Sequence, residues 1–454
     1  MKRSLLLPLS VAMAALLFAL AVLATHRLLQ NDRVYRHVSG IVKTYDRQEN
    51  EDGSWDCSRV EKPFVSPNEG NMLSWDAENY DRIRQTLYDP GHGWQGYFAF
   101  YPMFPLVWRW LSLSPMGMAM VNWLLYAVGL ALLALLFGST LPRWSWWLLL
   151  CAPMAVVFMI PYSEALFFLG IAAGMVGLAR NRYWLYFVGF FLASTTRAAG
   201  NIMLVAWVIV DLLAVLAAKS SAKEFLRRLS LHVAPIIGGI LAVVLFQHLR
   251  GADHWFEYML AQKEWGKELS WPTWPLTDWS EESASVTQPL LFLLFIPSLV
   301  WLALKAWHAV ADKAPHVMDN REMLRLFSIL FFVGNLLLAL FSQHGCLFSQ
   351  ARLLTCTPFF AFLVLDLSSE EKNKAWRWGM LAAFAVAVLL CLGMLSKWSQ
   401  LGSWIVFVLA ALVFYGNGMR PWLRNTLLGL TIVLDVYWTA YLFNCYLTNC
   451  WIFT

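Results

Sequence analysis

An acid, Asp76, stands between an aromatic and small or polar neighbours in Ser74-Trp75-Asp76-Ala77-Glu78-Asn79-Tyr80, a polar stretch that follows one apolar N-terminal segment and precedes a long series of others. A carboxylate fixed just outside a membrane is well placed to accept a proton from a sugar hydroxyl, which is a poor nucleophile at neutral pH. Farther on, charges break apolar runs at Tyr162-Ser163-Glu164, at Thr196-Arg197 and at Arg352-Leu353-Leu354. A guanidinium binds phosphate oxygens in bidentate fashion. Displacement of a lipid phosphate by an alcohol needs both kinds of group: a proton acceptor at the incoming oxygen and positive charge at the leaving one.

The elements that must hold such groups are membrane helices. Of 454 residues, 59% are hydrophobic and 14% charged, and the mean hydropathy is +0.54, which excludes an ordinary soluble chain. Apolar runs near the ~20 residues that cross a bilayer recur from end to end. The 25 Trp and 30 Phe suit interfacial belts and apolar packing. Seven Cys without a C-x-x-C spacing supply no metal or redox motif. The net charge of +5 gathers on one face, so it reports topology and not nucleic-acid binding.

Taken in order, Met1-Lys2-Arg3 and the apolar run from Leu5 to Leu23 predict an uncleaved first span within residues 1–28, because the run exceeds the ~7–15 residues of a signal core. Residues 29–116 form a large outer loop. Near its end, Tyr97-Phe98-Ala99-Phe100-Tyr101-Pro102-Met103-Phe104-Pro105 is too broken by Pro for a span and reads as an interfacial or re-entrant piece. A transmembrane core follows at 117–366, with an outer loop at 250–288, and C-terminal spans occupy 367–454. Within these limits, spans are expected at 117–138, 145–161, 163–179, 183–200, 201–218, 230–249, 289–305, 324–341, 351–366, 378–395, 403–416 and 425–443. The fold class is therefore an all-α polytopic membrane protein of about 11–13 spans, its first outer loop carrying interfacial helices.

Charge tests the alternation. With the N-terminus inside, the inner segments hold Arg143, Arg180, Arg182, Lys219, Lys223, Arg227, Arg228, Lys305, Lys313, Arg321, Arg325, Lys372, Lys374, Arg377, Arg420 and Arg424. The short outer segments hold only Arg197, Arg250, Lys263, Lys267, Arg352 and Lys397, the bias expected of cytoplasmic loops. Asp76, Glu164, Arg197, Gln262-Lys263-Glu264-Trp265 and Arg352 then all fall on the outer face. An acid and an arginine inside apolar runs are costly unless paired or facing water. One outer cavity lined by all of them would relieve that cost.

These residues also carry a resemblance. Trp75-Asp76-Ala77, then Phe100-Tyr101-Pro102-Met103-Phe104-Pro105, then Ala152-Pro153-Met154-Ala155 leading to Tyr162-Ser163-Glu164-Ala165-Leu166-Phe167, then Thr196-Arg197-Ala198-Ala199-Gly200, in that order, resemble the PIG-V family. Its members are the second mannosyltransferases of GPI-anchor synthesis and their prokaryotic relatives, a branch of the GT-C glycosyltransferases. Gln262 to Trp265, and Arg352-Leu353-Leu354 with Pro358-Phe359-Phe360, fit more loosely. The chain departs from the family pattern at Ser74, where an Arg is common, and at Ala198-Ala199, where Ser-Asn is common.

The resemblance implies a GT-C-like helical bundle that transfers mannose from a polyprenyl-phosphate carrier to an acceptor hydroxyl on the non-cytosolic side. The expected partners are the lipid-linked donor, a glycan or glycolipid acceptor and membrane lipid, with no nucleic acid. The expected setting is a bacterial inner membrane with the site outward, or the lumenal side of the endoplasmic reticulum. Asp76 is the candidate base, and a single displacement would invert the anomeric centre. Arg352, Arg197 and Lys263 are candidate phosphate contacts. Trp75, Tyr101 and Trp265 are candidates to stack on sugar or isoprenoid, and Glu78, Tyr162, Glu164 and Gln262 to contact sugar or acceptor. No nucleotide-sugar motif or acidic metal-binding pair is evident, so neither cofactor nor metal is expected.

Plainer roles compete. Asp76 could cap a helix beginning at Ala77, Arg197 could simply pair with Glu164, and Arg352 could snorkel to the interface. Lys263 and Trp265 precede Trp271-Pro272-Thr273-Trp274, which reads equally as an interfacial anchor. A transporter or flippase using Glu164 and Arg197, or a polysaccharide polymerase or ligase with outer-face arginines, are the other functional classes. Cys57, Cys346, Cys445 and Cys450 fall on the outer side, which permits disulfides without fixing a pairing.

Overall fold

The computed structural model describes residues 6–31, 34, 44–49, 55–60, 63–88, 95–137, 143–152, 154–271, 287–342, 349–369, 382, 385, 386, 398–415, 419–450 and 452. Helix α1 (Leu6–Leu29) is followed by strands β1 (Thr44–Glu49) and β2 (Trp55–Val60), then α2 (Asp76–Thr86), a 3-10 turn at Gln95–Ala99, and α3 (Met103–Leu111). Helices α4 (Pro115–Phe137), α5 (Arg143–Leu150), α6 (Glu164–Ala179), α7 (Tyr183–Thr196), α8 (Gly200–Ala217) and α9 (Ala222–Leu249) come next. A short α10 (Glu257–Leu260) and a 3-10 turn (Ala261–Trp265) lead to α11 (Thr287–Ala311), α12 (Asn320–Ser342), α13 (Gln350–Thr355), α14 (Pro358–Ser369), α15 (Trp398–Tyr415) and α16 (Pro421–Leu447).

Among the described residues, six helices are long and apolar enough to cross a membrane: α1, α4, α8, α9, α12 and α16. Shorter apolar stretches at Glu164–Ala179, Phe295–Ala311, Pro358–Ser368 and Ile405–Phe414 accompany them. This is a multi-pass membrane protein, and its described apolar part is mainly helical. In α1 the leucine side is bare, with Leu9, Leu17 and Leu20 exposed, while Ala15, Phe18 and Val22 are buried against the bundle. Only lipid offers such a side a favourable solvent, and only a helix satisfies its own backbone there.

Three expectations change. The long first loop is not wholly helical: β1 and β2 form an antiparallel hairpin, pairing Thr44 with Val60 and Glu49 with Trp55. Thr44, Tyr45, Trp55 and Val60 are residue types that favour extended backbone. The span expected at 145–161 is two pieces, α5 and a 3-10 turn at Ala155–Met159, in a stretch punctuated by Pro153 and Pro161, which lack the N–H a helix needs. The span expected at 351–366 is likewise divided into α13 and α14 at Pro358. The span expected at 378–395 lies largely outside the described residues. Cys445 and Cys450 are buried free thiols, and Cys57 and Cys346 lie where no side chain is described.

The α6–α7 hairpin fixes the geometry of the candidate site. A Cβ on Gly177 would stand 2.2 Å from the Tyr186 backbone nitrogen, and one on Gly189 would stand 2.4 Å from that of Gly174. Such backbone-to-backbone approach is the small-residue packing by which membrane helices associate without a hydrophobic driving force. Because α6 begins at Glu164 and α7 ends at Thr196, close packing brings Glu164 and Arg197 to the same end of the pair.

Loop helices α2 and α3 dock on that end. Tyr80 packs edge-on against Phe100 at 5.2 Å and Phe104 at 5.0 Å, and Arg109 Nη1 donates to the carbonyls of Arg84 and Gln85 at the C-terminal end of α2. Positive charge there complements the helix dipole. At nine residues α3 is too short to cross a bilayer, as the proline-broken sequence implies.

Candidate functional site

Asp76 is the first residue of α2, and the residue before it is strained: Trp75 has φ 56° and ψ −126°. A side chain in that region costs on the order of 1–3 kcal/mol and persists only where the surroundings impose it. Here they do. Tyr446, at the end of α16, donates its hydroxyl to the Met72 carbonyl at 2.8 Å, and the Asp76 N–H donates to the Tyr162 hydroxyl at 3.2 Å. Asn444 holds the entering chain by accepting from Val65 N at 2.9 Å and donating to the Pro63 carbonyl at 3.2 Å.

The Asp76 carboxylate does not cap its helix; it turns to Arg352. Arg352 Nη2 lies 2.8 Å from Asp76 Oδ2, and Arg352 Nε lies 2.8 Å from Glu164 Oε1. Glu164 Oε1 also meets Arg197 Nη1 at 2.6 Å, so four charges from α2, α6, α13 and the segment after α7 form one chain. Arg197 Nη1 donates to Ser163 Oγ at 3.1 Å, and Ser163 Oγ is 2.8 Å from the Tyr80 hydroxyl. Burial holds the Tyr80 phenol protonated well above its ordinary range, with nearby Arg197 pulling the other way.

Exposure grades along this chain. The side chain of Glu164 is 4% exposed, those of Arg352 and Arg197 are 9% and 16%, and that of Asp76 is 21%. Glu164 is a buried anion held by two cations, and its second oxygen, Oε2, has no hydrogen-bond partner among the described residues. Asp76 engages Arg352 through Oδ2 and is partly open to solvent. Arg352 is launched from a second left-handed residue, Ser349 at φ 59°, and its guanidinium lies over the Tyr162 ring at 5.2 Å. Asn122, fully buried in α4, donates to the Ile160 and Tyr162 carbonyls at 2.7 and 2.8 Å, which fixes the non-helical turn that presents Tyr162 and Ser163.

The structure thus brings together Asp76, Trp75, Tyr162, Glu164, Arg197 and Arg352. Other candidates lie elsewhere. Glu78 is exposed on another side of α2, and Tyr101 is buried with its ring edge-on to Tyr258 at 5.3 Å. Trp265 donates to the Gly96 carbonyl at 3.0 Å and packs on Phe100, so it pins its own loop to the 3-10 turn at Gln95–Ala99. Gln262 is half-buried and donates to the Tyr258 carbonyl at 3.4 Å. Lys263 is exposed and pairs with Glu268 at 3.5 Å.

Three residues at the site escaped the sequence reading. Ser163 and Asn122 were visible as polar residues beside or inside apolar runs, a signal of function in membrane helices. Tyr446 reads from sequence as one more interfacial aromatic. Among the described residues no group of three His, Cys, Asp or Glu side chains converges as a metal site would. No protein-family model, curated protein or solved structure matches the chain.

Proposed function

We propose that this protein is an inverting membrane glycosyltransferase that moves a sugar, mannose on the PIG-V resemblance, from a polyprenyl-phosphate carrier to an acceptor hydroxyl. The observation that carries the reading is the chain of ion pairs from Asp76 through Arg352 and Glu164 to Arg197, buried at one end and open at Asp76. Asp76 takes the acceptor proton as that oxygen attacks the anomeric carbon. The bond from that carbon to the phosphate oxygen breaks, and polyprenyl phosphate leaves with its electron pair. One displacement inverts the configuration.

Arg352 stands between base and leaving group, where a guanidinium can serve a phosphate and orient the carboxylate at once. Glu164 holds both arginines against the cost of burying them. The opposite end of the bundle carries Arg180, Lys219, Arg227, Arg228, Arg321 and Arg325. That excess supports a cytoplasmic placement of that end and hence a site on the far side of the membrane.

The test is transfer from polyprenyl-phosphate mannose by the purified protein in lipid. Asp76→Asn keeps the size and the hydrogen bond to Arg352 but removes the base, so turnover should fall by about 10²–10⁴-fold with an unchanged elution profile. Full turnover by Asp76→Asn would eliminate the proposed base. Absence of transfer from any polyprenyl-phosphate sugar by the wild type would end the reading.

A further inference from the structure

Asp76 and Arg352 meet from segments 276 residues apart, and both side chains are flexible, so their ion pair alone leaves the carboxylate loosely placed. Proton transfer at an incoming oxygen tolerates little of that, since a misplacement on the order of 1 Å costs up to about 10²-fold. Something rigid must set the two in register.

Tyr162 touches both. Its hydroxyl accepts from the Asp76 N–H at 3.2 Å, and the face of its ring carries the Arg352 guanidinium at 5.2 Å. One side chain therefore holds the backbone that bears the acid and the cation that faces it. Tyr162 is itself fixed at every part. Its N–H donates to the Ile160 carbonyl at 2.8 Å, and its carbonyl accepts at 2.8 Å from Asn122, which also donates to the Ile160 carbonyl. The rings of Tyr80 and Tyr446 stand edge-on to the phenol at 6.4 and 6.0 Å. Tyr162 is 0% exposed, so it acts on a substrate only through the groups it holds.

The strained turn before Asp76 lies between two such hydroxyls. On one side of Trp75, at φ 56°, Tyr446 donates to the Met72 and Ser74 carbonyls at 2.8 and 3.3 Å; on the other, Tyr162 holds the Asp76 N–H. Strain of this kind persists only where the surroundings impose it. Without the Tyr162 hydroxyl the turn can relax, and the first residue of α2 moves with it.

We infer that Tyr162 is the positioning residue that registers Asp76 against Arg352. Its effect on turnover rests on the glycosyl-transfer reading above; its effect on the backbone does not. A group that places the base without touching substrate acts on kcat and leaves KM alone.

The experiment compares Tyr162→Phe with Tyr186→Phe in lipid nanodiscs. Each loses one hydroxyl hydrogen bond and keeps its ring, the Tyr186 bond being to the His232 carbonyl at 2.7 Å, in the first turn of α7 and remote from Asp76. Two quantities are read: transfer from polyprenyl-phosphate mannose, and amide hydrogen exchange over residues 72–80. Tyr162→Phe should lower kcat by about 10- to 100-fold with donor and acceptor KM nearly unchanged. It should also speed exchange of the segment by about 2- to 10-fold, the worth of one hydrogen bond. Tyr186→Phe should do neither. Tyr162→Leu, which also removes the ring beneath Arg352, should lose a further factor of about 2 to 30 in kcat, the worth of the cation–π contact. A kcat in Tyr162→Phe as high as in Tyr186→Phe overturns the assignment. So does an effect confined to KM, which would make Tyr162 a substrate contact, or a loss in Tyr162→Leu no larger than in Tyr162→Phe. If the wild type transfers no sugar, exchange still decides: faster exchange in Tyr162→Phe alone upholds the hold on Asp76 and removes only the glycosyl-transfer reading, and unchanged exchange overturns the hold.

Discussion

Each end of the bundle holds a buried carboxylate between two arginines, and the two are built differently. At the cation-rich end, Asp366 on α14 meets Arg321 Nε at 2.5 Å and also Arg325 Nε. Those arginines lie one turn apart on α12, 47% and 23% exposed, so their charge reaches water. At the other end, Glu164 meets Arg197 and Arg352 from two separate segments, both nearly sealed, and Arg352 passes the contact on to a half-open acid on a strained loop. A carboxylate and two guanidiniums make a helix staple in the first case. In the second they make a centre in which Glu164, 4% exposed, and Arg352, 9% exposed, depend on each other, because little solvent reaches them to replace a lost partner.

Substitutions can break or sharpen that contrast. The widest gap is expected in activity: Asp76→Asn should lose about 10²–10⁴-fold in turnover while Asp366→Asn loses almost none. Comparable losses in both would mean that the two clusters do the same job. Next comes stability. Glu164→Gln leaves two buried guanidiniums short of an anion and should destabilise the protein by about 3–5 kcal/mol, read as a lowered thermal unfolding midpoint in detergent.

Asp366→Asn should destabilise by only about 1–2 kcal/mol, because its arginines turn to water. A larger drop there than in Glu164→Gln would invert the argument. The smallest effect expected is that of Tyr446→Phe, which removes the bond to the Met72 carbonyl and should stabilise nothing in exchange, at about 1 kcal/mol. Because it acts by positioning the Trp75-Asp76 turn, kcat should fall with the donor KM nearly unchanged, and a change confined to KM would point to a binding role instead.

Much of the site was legible in the chain because charge inside an apolar run is conspicuous. Asp76, Glu164, Arg197 and Arg352 could each be picked out from their neighbours, and the common end they share follows from counting alternations. Nothing local distinguishes Tyr446 from the other aromatics of the final run; its role comes from meeting a loop more than three hundred residues earlier in the chain.

Sequence alone determined that the chain lives in a membrane, where most of its long apolar helices run, and which side chains are too polar to be there without purpose. These follow from local quantities: hydropathy over a helical length, proline positions, and the sign of flanking charge. Tertiary structure alone decided which acid meets which arginine, and that Asp76 faces Arg352 and not its own helix terminus. Such pairings are settled by which backbones can approach, here through Gly177 and Gly189, and burial of a charge is tolerated only where the packing delivers its counter-charge.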